Sequence, residues 1–272
     1  MILSDTHTHT HFSTDSDASS YEMLRTAEAQ GLGYLCITDH MDPDFPGDPS
    51  LFVFDPKLYF LELSALKKEA AKGPTHLLTG IELGLRPGRE DLRIDMKRML
   101  TDYPFDYVIG STHIVDEMDP YERIYWDKEE KPLLRYFETV YENTLEHDFF
   151  DSLGHLDYII RYMPSDLFTL RDYKTIDYRD LLEGTLSLLA KRGQALEVNS
   201  AGLRKGLRFP HPKQELLIRF RELGGELVTL GSDAHTASDV GADIKESAEI
   251  LRSCGFRYYT VFENRKPVML SL

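Results

Sequence analysis

Apolar segments of strand length alternate with amphipathic helical stretches along almost the whole 272-residue chain, and this alternation limits the fold more than any other feature. Residues 2–6, 33–38, 76–83, 107–113, 151–155, 195–199 and 226–231 read as strands, with a last one at 258–262. Helical patterns fill the gaps at 21–30, 56–71, 90–100, 133–147, 178–191, 214–223 and 240–253. Ser19 or Ser20 can cap the first of these and Gly31 can stop it. Leu58, Leu61, Leu63 and Leu66 supply apolar contacts for the second. Strand and helix in strict alternation predict a parallel α/β array, and about seven such units favour closure into a barrel. No repeat, low-complexity tract or interdomain linker interrupts the pattern, so one domain over residues 1–272 is expected.

The strand ends carry the chemistry. His7 and His9 are two residues apart, so on an extended backbone both imidazoles leave from the same face. With Asp15 further along the loop they make the start of a divalent metal site. His40 follows the second strand, Glu82 sits near the end of the third, His113 ends the fourth and His155 the fifth, and Asp233 and His235 follow the seventh. In a parallel barrel these C-terminal ends converge on one mouth, the place where such barrels put their active sites. Histidines placed at random would also fall on helices and loops, as His76, His147 and His211 are expected to do. Imidazole and carboxylate ligands together suit zinc, manganese or iron rather than calcium.

Composition narrows the function classes. The net charge of −15 opposes binding along nucleic acid or on an anionic membrane surface, both of which need a basic footprint. No apolar run approaches the roughly 18 residues of a membrane-spanning helix, and the N-terminus lacks signal-peptide character. Cys36 and Cys254 are too few for a disulfide scaffold or a thiolate metal cage, which fits reduced thiols in a cytoplasmic protein. No feature predicts an oligomeric state.

The order His-x-His, T-D-H, G-I-E, S-T-H, G-H-L-D and S-D-A-H, from Asp5 to about Asp239, resembles the PHP (polymerase and histidinol phosphatase) family. The G-S-T-H, G-H-L-D and N-S-A-G-L-R-K segments are similar to the histidinol-phosphate phosphatases of that family. The resemblance implies a distorted, TIM-barrel-like (β/α)7 barrel with three divalent metal ions at its mouth. One metal would take His7, His9, Glu82 and Asp233. Glu82 would bridge to a second held by His113 and His155, and a third would take Asp15, His40 and His235. His11 continues the alternation of His7 and His9, but the family pattern gives it no role.

The implied activity is hydrolysis of L-histidinol phosphate to L-histidinol and phosphate, a step of histidine biosynthesis. Attack by a metal-bound hydroxide without a phospho-enzyme is the expected route, with Glu82, Asp233 and His235 as its catalytic ligands. Arg161 and Arg204 are the cations best placed to clamp the phosphate, with His40 beside them, because a guanidinium fork matches two phosphate oxygens. Lys205 is a weaker candidate, and Arg208 and His211 are candidates for the rim. Acids and aromatics for the imidazole and amine are available in loops 42–48 and 121–126; the polar, aromatic segment 117–131, with Trp126, reads as a loop able to cover the site. Competing readings are a PHP-type phosphodiesterase or exonuclease, a phosphatase for another small phosphoester, and a catalytically silent metal-binding module.

Overall fold

The computed structural model describes residues 3–272, so Met1 and Ile2, the latter expected in the first strand, lie outside the described residues. The elements run β1 (Ser4–Asp5), α1 (Ser20–Ala29), β2 (Tyr34–Ile37), β3 (His40–Met41), α2 (Pro56–Ala70), β4 (His76–Gly84), α3 (Glu90–Asp102) and β5 (Tyr107–Ser111). They continue with α4 (Arg123–Lys128), α5 (Pro132–Glu146), β6 (Ser152–Leu153), α6 (Arg179–Arg192), β7 (Ala195–Asn199), α7 (Ala201–Arg204), α8 (Gln214–Glu222), β8 (Val228–Gly231), α9 (Ile244–Ser253), β9 (Tyr258–Glu263) and β10 (Lys266–Ser271). Ser19 caps α1 through a reciprocal capping box with Glu22, Asp55 caps α2 with Pro56 at its first position, and Gly193 ends α6 in the left-handed region.

The strands pair in parallel in the order β1-β2-β4-β5-β6-β7-β8, and β3 resumes the line of β2 beside the far half of β4. The first and last strands close on each other. Thr6 N–H donates to Leu230 O at 2.9 Å, Asp233 N–H to His7 O at 2.8 Å and His9 N–H to Ala234 O at 2.8 Å. The result is a nearly closed parallel barrel of seven strand positions with helices around it. Several strands are shorter than their apolar runs predict: β5, β6 and β8 span 107–111, 152–153 and 228–231 against the expected 107–113, 151–155 and 226–231.

Four other expectations change. On α2 the buried stripe is Tyr59, Leu63, Leu66 and Ala70, whereas Leu58 and Leu61 are exposed. Segment 117–131 is not all loop but contains α4; Trp126 is buried with its indole N–H on Pro120 O at 2.9 Å and anchors the segment, while Asp119 and Tyr121 of the same segment lie at the mouth. His76 begins strand β4, as the strand read at 76–83 has it and not on a helix or loop, at the end away from the mouth. The final strand is half of an antiparallel β9–β10 hairpin, turned at Asn264 and Arg265, both with positive φ. Phe262 stacks on Tyr107 and Arg265 pairs with Asp151, so the hairpin covers the strands' N-terminal ends, opposite the mouth.

Candidate metal centre

Glu82, near the end of β4 and fully buried, stands at the middle of the mouth. Its Oε1 lies 2.8 Å from His155 Nε2, 3.2 Å from His113 Nε2 and 2.6 Å from Ser111 Oγ. Its Oε2 lies 2.9 Å from His40 Nδ1, 3.2 Å from His7 Nε2 and 3.5 Å from His9 Nε2. Asp233 Oδ1 is 3.4 Å from His9 Nε2 and 3.7 Å from both His7 Nε2 and His235 Nδ1. Asp15 Oδ2 is 3.1 Å from His235 Nε2 and 3.8 Å from His40 Nε2. Nine side chains scattered over the sequence from residue 7 to residue 235 therefore share one contiguous cluster.

The outer faces of the rings are held by other groups. His7 Nδ1 donates to Glu197 Oε1 at 2.6 Å, which leaves Nε2 turned toward Glu82 and Asp233. Glu197 Oε2 also accepts the backbone N–H of His155 at 2.7 Å, so one buried carboxylate on β7 fixes two of the nine. His113 Nδ1 donates to Asp42 Oδ1 at 2.7 Å. His9 Nδ1 donates to Ser13 Oγ at 3.0 Å, whose hydroxyl in turn donates a hydrogen bond to Asp39 Oδ1 at 2.7 Å. Asp233 adopts φ 56°, a left-handed conformation that aspartate tolerates better than most residues, with its N–H tied to His7 O.

The electrostatics follow from this crowding. Burial opposes ionisation of Glu82, but His7, His113 and His40 outweigh it and hold its carboxyl well below the ordinary range. Asp233 behaves likewise under His9, His7 and Arg161. Burial disfavours a charged His7, yet Glu197 and Glu82 keep its pKa well above normal. His9 is pushed the other way, well below normal, by burial and by His235 and His40.

Does this donor set fit divalent metals? Glu82 Oε2, His40 Nδ1, Asp42 Oδ2 and His155 Nδ1 are buried without a hydrogen-bond partner, an arrangement that would be costly if nothing else engaged those lone pairs. Glu82 Oε2 and His40 Nδ1 are close yet not aligned for a hydrogen bond. Four triads offer ligand atoms within 4.8 Å of one another: His9, His40 and His235; His7, His9 and Asp233; His7, Glu82 and His155; and His40, Asp42 and His113. The residues fit cations with nitrogen and oxygen ligands.

A cavity of about 340 Å³ opens over the cluster. Arg161, in the 3₁₀ turn Tyr158–Tyr162, lines it, with Nη1 3.2 Å from Asp233 Oδ2 and Nε buried and unpaired. Arg204, on α7, is not among the residues lining that cavity. Its Nη2 donates to Ser232 O at 2.9 Å, its Nε lies 3.4 Å from Asp239, and its Nη1 is buried and unpaired. His11 turns away toward Glu62 and packs on Phe12. His211, expected near the rim, is fully buried with Nδ1 on Asp157, while Arg208 and Lys205 are exposed and away from the cavity. Sequence reasoning missed Glu197 and did not place Asp42 among the candidate ligands. An acid in the middle of the otherwise apolar A-L-E-V-N strand is the signal that pointed to the former.

Comparison with known proteins agrees with this picture. The model of the PHP domain family matches residues 5–201. A histidinol-phosphatase of Lactococcus lactis is 32% identical over 273 residues, covering 96% of this chain and 95% of the relative. A protein named "probable histidinol-phosphatase" from Clostridium acetobutylicum is 32% identical over 258 residues, covering 94% and 95%. Among solved structures, the histidinol phosphate phosphatase of Lactococcus lactis, complexed with zinc, L-histidinol and phosphate, superposes with a TM-score of 0.86. It is 30% identical and 98% of each chain is covered.

Proposed function

This chain belongs to the PHP domain family, and from that membership and the geometry of the barrel mouth we propose that it acts as a histidinol-phosphatase. It is a metal-dependent phosphomonoesterase that hydrolyses L-histidinol phosphate to L-histidinol and phosphate. The observation that carries the reading is the convergence of six imidazoles and three carboxylates at one end of the barrel, on a chain that matches histidinol-phosphatases over nearly its full length.

In our reading the site holds three divalent cations, zinc, manganese or iron. His7, His9, Glu82 and Asp233 would hold the first, and Glu82 would bridge to a second at His113 and His155. Asp15, His40 and His235 would hold the third. Cations bound there neutralise phosphoryl oxygens and lower the pKa of bound water toward about 7. The chain's own side chains set up the reaction. Glu82 and Asp233 are kept ionised by the imidazoles around them, and Glu197 and Asp42 fix the tautomers of His7 and His113. Arg161 lines the cavity wall beside Asp233, where its guanidinium would meet the phosphate. His40 would complete the phosphate-binding set together with Arg204, which stands on α7 tied to Ser232 O at the edge of the site. The net charge of −15 speaks against the exonuclease alternative, whose polyanionic substrate must cross the acidic surface.

Phosphate release from L-histidinol phosphate, run beside nucleotide release from a 3′-labelled oligonucleotide, tests the assignment. Metal-loaded protein should turn over the first and leave the second intact, and chelator should abolish the activity. Hydrolysis of the oligonucleotide alone would overturn the reading. Among the described residues no helix is long and apolar enough to cross a membrane.

A further inference from the structure

Four carboxylates line the cavity: Asp15, Asp42, Asp119 and Asp233. Three of them face cationic or imidazole partners. Asp15 meets His235 at 3.1 Å, Asp42 meets His113 at 2.7 Å, and Asp233 meets Arg161 at 3.2 Å. Asp119 has no ion-pair partner among the described residues; the one hydrogen bond to its carboxylate comes from the backbone N–H of Tyr121 at 2.8 Å. It is half-buried, and burial pushes its carboxyl pKa upward, as expected for an acid short of a counter-charge.

The turn that carries it is pinned. Val115 and Met118 exchange backbone hydrogen bonds at 2.9 Å each, and Trp126 holds Pro120 O from below. Beside Asp119 the wall is aromatic. The exposed Tyr121 ring meets Tyr162 edge-on at 5.2 Å, and both line the cavity with Tyr158. A pre-set carboxylate beside aromatic rings is a receptor for an organic cation, since the charge supplies attraction and the ring faces add cation–π and stacking contacts. The same cavity offers a guanidinium and the imidazole cluster for an anion. It is therefore bipolar, like a substrate with a phosphate at one end and an ammonium at the other.

We propose that Asp119 is the specificity-determining residue that binds the ammonium group of the substrate, with the imidazole lodged against Tyr121 and Tyr162. This inference rests on the function proposed above and goes beyond the metal and phosphate ligands. Asp119→Asn keeps an acceptor for the Tyr121 N–H and removes only the charge, whereas Asp119→Ala removes both.

The test compares kcat/KM for L-histidinol phosphate with that for 4-nitrophenyl phosphate, which has no cationic group, in metal-loaded wild-type and variant proteins. In Asp119→Asn the ratio of the two should fall tenfold or more, mainly through KM for histidinol phosphate. L-histidinol should also inhibit 4-nitrophenyl phosphate hydrolysis at least tenfold more weakly. A wild-type ratio in Asp119→Asn, with or without damage in Asp119→Ala, would show that the residue serves the turn alone and overturn the inference. A parallel fall on both substrates would overturn it too. Absence of histidinol phosphate turnover by the wild-type protein, with 4-nitrophenyl phosphate still cleaved, would instead overturn the proposed function, and the role of Asp119 with it.

Discussion

Replacing Glu197 by glutamine changes one atom type in a fully buried side chain that touches no substrate cavity. Both carboxylate oxygens now accept protons, from His7 Nδ1 at 2.6 Å and from the His155 backbone N–H at 2.7 Å. An amide can satisfy only one of them. If its oxygen keeps His7, its NH₂ opposes the His155 N–H and leaves a buried donor unpaired, which costs about 1–3 kcal/mol. If it flips, the NH₂ faces His7 Nδ1 and favours the tautomer with the proton on Nε2, the nitrogen turned toward Glu82 and Asp233. Either outcome weakens metal binding, and loss of such orienting partners typically lowers affinity about 10–100-fold, or roughly 1.4–2.8 kcal/mol at 1.4 kcal/mol per decade. Stripped protein titrated with zinc against a chromophoric chelator reads this directly, and thermal unfolding of the stripped form separates it from a folding defect. Wild-type zinc affinity in a folded Glu197→Gln protein would refute the reasoning.

Four further substitutions probe the rest of the mouth. Glu82→Gln removes the charge that faces five imidazoles, so elemental analysis should find less bound metal and turnover should drop at least a hundredfold; activity within threefold of wild type would count against the bridging role. Arg161→Ala should lower kcat/KM for the phosphoester by roughly 10–100-fold, the worth of a hydrogen bond to a charged group at about 1.5–3 kcal/mol, with metal content unchanged. Arg204→Ala should raise KM as well, and because Arg204 also ties down Ser232 O, metal content is to be measured alongside. A methyl group on Gly84 would overlap the Asp42 carboxylate that holds His113, so Gly84→Ala should lose activity at least tenfold while its far-ultraviolet circular dichroism stays native.

The barrel and the histidines at its mouth were legible because both are written in local pattern. Strand and helix alternate, and each strand's last residues point to one rim whatever the details of packing. The helix faces were less so. On α2 the stripe 59-63-66-70 follows the helical period, and Leu58 and Leu61 fall off it, yet four leucines close together draw the eye first. Glu197 was hidden for a different reason. Its role exists only because β7 lies between β6 and β8 while β1 closes the barrel on the far side of β8, so that a carboxylate on one strand reaches an imidazole 190 residues away in sequence. Asp119 lies in a turn whose sequence says only that the chain bends; the lack of a counter-charge is a property of the assembled cavity.

The charge distribution ties fold to substrate class. The surface is acidic overall, and the mouth itself holds five carboxylates, Glu82 and the four that line the cavity, so on net charge alone a phosphate ester should be repelled. The imidazoles alter that balance, because their lone pairs and the buried carboxylates are worth burying together only if cations sit among them. Such cations would create a positive field confined to the cavity floor, screened beyond about 8 Å at physiological ionic strength. A small phosphomonoester fits wholly inside that zone and meets Arg161 on its wall. A polynucleotide would place most of its phosphates outside it, against the acidic exterior. Selection for small substrates thus follows from the contrast between the mouth and the surface, without any loop built to exclude large ones.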